Sequence, residues 1–112
     1  MYIAMNRFLI APGQEEVFER LWRQRQSHLH DVPGFEALHL LRGAAEERGT
    51  VFISHSRWIS EQAFRAWTES EAFRLAHRQA KIPEGVLLGP PHFEGFTAID
   101  LTPVTKTAGE IS

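Results

Sequence analysis

The chain has 112 residues, 43% of them apolar and 11% aromatic, with a formal charge of −2, which suits one domain around one modest core. Acidic and basic residues are interspersed rather than blocked, so neither nucleic acid nor an anionic membrane surface is an expected partner. The absence of cysteine removes disulfides, thiolate metal sites and cysteine nucleophiles together, leaving His, Asp, Glu and Tyr as metal donors.

The apolar start MYIAMNRFLI is interrupted by Asn6 and Arg7 and carries no charged leader or cleavage pattern. It therefore reads as a strand over residues 2–10 that stops at Pro12-Gly13, not as a signal peptide or membrane span, and the cytoplasm is the expected compartment. From Gln14 to about His30, Val17, Phe18, Leu21, Trp22 and Leu29 recur at helical spacing, with Glu15, Glu16 and Glu19 in the first turns where the helix dipole favours them. Pro33-Gly34 breaks that helix. FEALHLLR (35–42), the polar turn GAAEERG and TVFISHSRW (50–58) then read as a hairpin. Ser60 opens another helical stretch, in which SEQAFRAW is echoed by SEAFRLAH; Thr68 with Glu71 has capping-box spacing, so a new helix is expected just after Trp67. Residues 81–91, rich in Gly and Pro, read as a loop, 92–101 as a last strand, and 102–112 as a polar, flexible tail. The expected organisation is thus a single domain over 1–101 plus that tail.

The order β-α-β-β-α-β matches a ferredoxin-like α+β arrangement, an antiparallel sheet with helices on one face. Strands that are apolar on both faces, such as VFISHSRW, call for a cover on the second face by a partner or a closed barrel. A chain of this size also gains stability from apolar area buried in an oligomer, which makes a homodimer the expected state.

Four residues stand out against their surroundings. Asn6 shares a strand face with Ala4, Phe8 and Ile10; a buried amide must bond to something, either neighbouring backbone or a ligand. His77 lies on the helix face of Phe73, Ala76 and Ala80, where the ordinary reading is a satisfied core or boundary histidine and the sharper one a single axial ligand. No second His or carboxylate stands at the spacing of a helical zinc site. Trp67 sits at the junction of two short helices, where core packing alone would account for it. Arg25 projects between Phe18, Leu21 and Leu29 on the expected helix, so it either snorkels, pairs with a carboxylate, or receives the carboxylate of a ligand. His28, His30, His39, His55 and His92 have no such setting, and no Gly-rich phosphate loop, G-x-S-x-G elbow or paired zinc motif occurs.

The stretch AMNRF with Asn6, the strand PGFEALHLLR, and the run W-x-S-E-x-A-F-x-x-W-x-x-S-x-x-F-x-x-A-H from Trp58 to His77 resemble the haem-degrading monooxygenases of the staphylococcal Isd type. These belong to the wider antibiotic-biosynthesis-monooxygenase-like group, and the resemblance covers roughly residues 1–101. It implies a ferredoxin-like dimer with a central barrel. It also implies haem as both cofactor and substrate, O2 and an external electron donor (a reductase or small reductant), and release of iron with a linear tetrapyrrole for iron acquisition. By the same resemblance His77 is the axial ligand of the haem iron, Asn6 a hydrogen-bond donor to bound oxygen, and Trp67 the side chain that buckles the porphyrin; Arg25 as a further haem contact is a suggestion from its position alone. Two other functions fit the scaffold: a cofactor-independent monooxygenase of aromatic or quinol substrates, which does not need Asn6 and His77 together, and a haem-binding module without turnover.

Overall fold

The computed structural model describes residues 1–25, 28–79 and 81–102; from residue 103 onward the expected tail lies outside the described residues. The elements in chain order are β1 (Tyr2–Ile10), α1 (Glu15–Gln24), a single 3-10 turn (Leu29–Asp31), β2 (Phe35–Glu46), β3 (Gly49–Trp58), α2 (Glu61–Thr68), α3 (Glu71–Gln79) and β4 (His92–Thr97). The four strands form one antiparallel sheet in the order β2-β3-β1-β4, the ferredoxin-like α+β arrangement.

Strand alternation decides which residues meet the helices. On β1 the even positions Tyr2, Ala4, Phe8 and Ile10 are buried, and register places them opposite Trp58, Ser56, Phe52 and Thr50 of β3. The apolar residues on this face gather into two clusters rather than one. Phe8, Ile10, Phe18, Phe52 and Val86 form the first, while Tyr2, Ala4, Leu29 and Trp58 form the second. Between them, at the same level of β1 and β3, stand Asn6 and Ser54. The rung is completed by Leu40 of β2 and Phe93 of β4. The core is therefore split, and the split falls on two polar residues of the face, Asn6 and Ser54.

The opposite face, with Ile3, Met5 and Leu9 of β1 and Val51 and Ile53 of β3 half-buried, carries none of the residues in the two clusters. No described helix is long and apolar enough to cross a membrane.

Several expected boundaries move. The first helix ends at Gln24, not near His30: Arg25 is its extended C-cap, with its N–H bonded to the Trp22 carbonyl. Leu29, which prolongs the helical spacing, instead enters the second cluster from the separate 3-10 turn after His28, whose φ of 54° is left-handed. Arg25 is thus not in the middle of a helical stripe. The GAAEERG turn is mostly strand: β2 runs on to Glu46 through a register shift between Arg42 and Ala45, an irregularity that absorbs the extra residues. In the 81–91 loop, Val86 is buried in the first cluster and tied to β1 by the bond from Ala11 N–H to its carbonyl. The last strand stops at Thr97 rather than 101.

The junction of α2 and α3 also differs from its capping-box reading. Thr68 turns its hydroxyl back to the Arg65 carbonyl, and it is Ser70 whose Oγ accepts from Phe73 N–H at 3.2 Å while donating to the Trp67 carbonyl at 2.6 Å. Trp67 is consequently the penultimate residue of α2, and one hydroxyl fastens both helices at the bend. Ser70→Ala should cost about 1 kcal/mol of stability, the usual value of a helix N-cap, read as a thermal midpoint lowered by a few degrees; an unchanged midpoint would contradict the double role.

Candidate functional site

A cavity of about 900 Å³ opens between the split core and the helices, at the upper end of the volumes that enclose a small-molecule ligand. All four residues singled out from the sequence line it: Asn6 from the sheet, Arg25 from the end of α1, Trp67 from α2 and His77 from α3. The rest of the wall is mostly apolar and aromatic, with Phe64, Phe73 and Phe93 prominent.

Asn6 is half-buried on the cavity floor, and among the described residues its carboxamide has no hydrogen-bond partner. The reading that such an amide is satisfied by nearby backbone is therefore not met, and the group is available to what enters the cavity.

His77 is fixed by its own helix. Its Nδ1 lies 3.1 Å from the Phe73 carbonyl oxygen, and a carbonyl can only accept, so Nδ1–H donates and Nε2 keeps its lone pair. Its ring packs on Phe73 with centroids 3.9 Å apart. Burial of the ring against these neighbours lowers the imidazole pKa from its ordinary value; the Phe73 bond opposes this and the Arg25 charge adds to it. The residue still keeps a solvent-open edge. The result is a neutral imidazole at pH 7 with one nitrogen anchored and the other free, the arrangement that prepares a histidine for a metal.

Trp67 is held by aromatic neighbours on several sides: Trp58 at 5.4 Å, Phe64 at 6.3 Å and, edge-on, Phe73 at 4.7 Å. Its ring lies 6.3 Å from that of His77. Its Nε1–H is buried and has no partner among the described residues. Arg25 shows the same feature: its Nε is buried and unpartnered among the described residues, its guanidinium lies over the Trp22 ring with Cζ 4.6 Å from the centroid, and burial lowers its pKa. Of the three readings the sequence left open for Arg25, an ion pair is not made among the described residues. Two orphaned donors in the walls of one cavity are each costly, on the order of 1–3 kcal/mol, unless an acceptor reaches them.

The charge of the wall is one-sided. Arg25 and Lys81 line the cavity and, among its described lining residues, there is no Asp or Glu, although the chain as a whole is acidic. Lys81 was hidden in sequence as one residue of a Gly- and Pro-rich loop, and Ser54 as one hydroxyl in an apolar strand. No group of three or more His, Asp or Glu side chains among the described residues is placed to hold a metal on its own, so His77 stands as a single donor.

The family model described as antibiotic biosynthesis monooxygenase matches residues 1–79. A curated heme-degrading monooxygenase of Shouchella clausii is 30% identical over 89 residues, covering 80% of this chain and 82% of that protein. Among solved structures, a heme-degrader of Mycobacterium tuberculosis with two hemes bound in its active site superimposes with a TM-score of 0.67 at 21% identity, covering 91% of this chain and 100% of that one. A cofactor-independent oxygenase of Streptomyces nogalater superimposes with a TM-score of 0.66 at 20% identity, over 91% and 96% of the two chains. Both kinds of oxygenase thus share the fold, and the fold alone does not choose between them. With its ferredoxin-like sheet, and with a family match that runs from β1 through α3, the chain belongs to the antibiotic biosynthesis monooxygenase family.

Proposed function

We propose that this monooxygenase-family protein binds haem in the cavity as substrate and cofactor and opens its porphyrin ring, releasing iron and a linear tetrapyrrole. The observation that carries the reading is the single imidazole whose Nδ1 is committed to the Phe73 carbonyl, in a large apolar cavity walled by cations without carboxylates. Such a cavity suits a flat apolar ligand with acidic groups at its edge and one metal to be bound, which is the chemistry of haem. The relationship to the Shouchella clausii enzyme supports the same reading.

When bound, haem supplies the iron at which O2 is reduced by electrons from an external donor, together with the ring that is oxidised. The chain supplies the rest. His77 would hold the iron through its free Nε2. Asn6 offers an amide N–H from the floor, in surroundings of low polarity where one hydrogen bond counts for more than in water. Trp67 is clamped by Trp58, Phe64 and Phe73, so when a flat ligand presses on it, the ligand yields rather than the indole. Arg25 and Lys81 receive the propionates. A cofactor-independent oxygenase, the second reading, does not need Asn6 and His77 together. We also propose that a second copy of the chain covers the open sheet face, giving a homodimer with a shared barrel.

The reading is tested by titrating the purified protein with haemin and following the Soret band, which should saturate near one haem per chain. Arg25→Gln should weaken haemin binding about tenfold, the value of one hydrogen bond to a charged group, while leaving the affinity for haemin dimethyl ester unchanged. Equal weakening of both ligands would remove Arg25 as a propionate contact. No Soret change with the wild-type protein would remove haem altogether.

A further inference from the structure

Ser54 is unexplained by the fold. It is 6% exposed and, with Thr50, is one of the two buried polar residues among those described. Thr50 is accounted for, since its hydroxyl donates to Glu15 at 2.8 Å. Ser56, on the same face of β3, is accounted for as well: its Oγ accepts from Trp58 Nε1–H at 2.9 Å and donates to the Ala4 carbonyl at 3.2 Å. The Ser54 hydroxyl makes no hydrogen bond among the described residues, opens onto the cavity rather than being sealed in the core, and lies in register with Asn6. Alanine or valine there would continue the apolar face without leaving a hydroxyl to satisfy.

The carboxamide of Asn6 has a related need. Its oxygen and nitrogen are interchangeable in shape, and nothing among the described residues bonds to either, so nothing yet decides which of them faces the ligand. The neighbouring hydroxyl can both donate and accept but makes no direct bond to the amide. Two cross-strand polar groups that make no direct bond and face one cavity are a setting in which a single water bridges.

We propose that Ser54 is a positioning residue that acts through Asn6: a water held between its hydroxyl and the Asn6 carboxamide oxygen fixes the amide so that its N–H groups point into the cavity toward the bound ligand. The proposal rests on the haem reading for what that ligand is.

The test compares wild type, Ser54→Ala, Ser54→Thr, Asn6→Ala and the Asn6→Ala/Ser54→Ala double variant, each loaded with haemin. Ser54→Ala should bind haemin within about twofold of wild type, lose about tenfold in the rate of Soret decay with a reductant, and raise the pH midpoint of the visible-spectrum transition of the ferric complex, because a donor that favours the anionic form has been misdirected. Ser54→Thr, which keeps the hydroxyl, should restore both rate and midpoint. In the Asn6→Ala background, Ser54→Ala should have no further effect, since a residue that acts only through Asn6 has nothing left to act on. Wild-type behaviour of Ser54→Ala in rate and midpoint overturns the proposal. Equal impairment of Ser54→Ala and Ser54→Thr, or independent addition of the two alanine effects, overturns it too. Failure of wild type to bind haemin overturns the haem reading and this proposal with it, whereas normal wild-type binding and turnover with a silent Ser54→Ala overturns this proposal alone.

Discussion

His77→Ala is expected to weaken haemin binding by about 100-fold or more, roughly 2.7 kcal/mol, and to abolish the Soret spectrum of a histidine-ligated complex. The size of the effect follows from how little else in the cavity can replace the lost donor: among its described lining residues there is no second histidine. The loss should be specific to the ligand. His77 is exposed, and its hydrogen bond among the described residues is to the carbonyl of its own helix, so truncation removes ring contacts with Phe73 and Trp67 rather than part of either core cluster. Thermal stability without haemin should change little. The same residue sets a pH dependence. Ligation needs the neutral imidazole, and because burial lowers the pKa of His77 from its ordinary value, protons compete at lower pH than they would for an ordinary histidine. Haemin affinity should therefore be level at high pH and bend downward at a pH below the ordinary imidazole value of about 6.5, and the fall should vanish in His77→Ala. A bend above that ordinary value would contradict the lowered pKa, and unchanged affinity in His77→Ala would remove the ligand assignment.

Asn6→Ala is expected to separate binding from chemistry. The residue belongs to neither core cluster, and its side chain makes no hydrogen bond to the fold among the described residues, so the variant should fold and bind haemin within a few-fold of wild type. Its turnover should fall by about 100-fold or more, which is the loss seen when one preorganised donor is removed from a water-poor site. Measuring haemin affinity and the rate of Soret decay on the same sample distinguishes this from a packing defect, which would lower both. Normal tetrapyrrole formation by Asn6→Ala would exclude the donor role.

Much of this was legible in the chain because the relevant residues contradict their surroundings. An amide among Ala4, Phe8 and Ile10, and a lone histidine beside Phe73 and Ala76, are visible as misfits wherever the strand and helix periods can be followed. The sheet was legible for the same reason, since its inward face alternates cleanly along β1. The end of α1 was not: from Arg25 to His28 the sequence has neither proline nor glycine, and Leu29 continues the helical spacing although it packs from a separate turn. Arg25 consequently reached the cavity by a route the sequence did not indicate, as a C-cap rather than a mid-helix residue. Thr68 and Ser70 offered two competing caps. The pairing of Thr68 with Glu71 favoured the wrong one, because a three-residue spacing cannot show that the Thr68 hydroxyl is already taken by the Arg65 carbonyl.

Ser54 and Lys81 were invisible for a different reason. A serine in a strand that is apolar on both faces has no assignable side until register places it beside Asn6. A lysine in a loop has no periodicity to betray its direction. Nor could composition show that the core divides in two at the Asn6–Ser54 rung, although that division is what makes room for the cavity. The site therefore follows less from a motif than from where the packing stops.

The most direct test of the whole account is a single-turnover reaction. Protein saturated with haemin is mixed with ascorbate in air, with catalase present to remove free peroxide, while the Soret band and chelatable iron are followed together. The account predicts decay of the Soret band with release of about one iron per haem and appearance of a linear tetrapyrrole, at a rate that collapses in Asn6→Ala. A Soret band that stays unchanged through this reaction and with a reductase as alternative donor, while haemin remains tightly bound, would contradict it and make the protein a haem carrier on a monooxygenase scaffold.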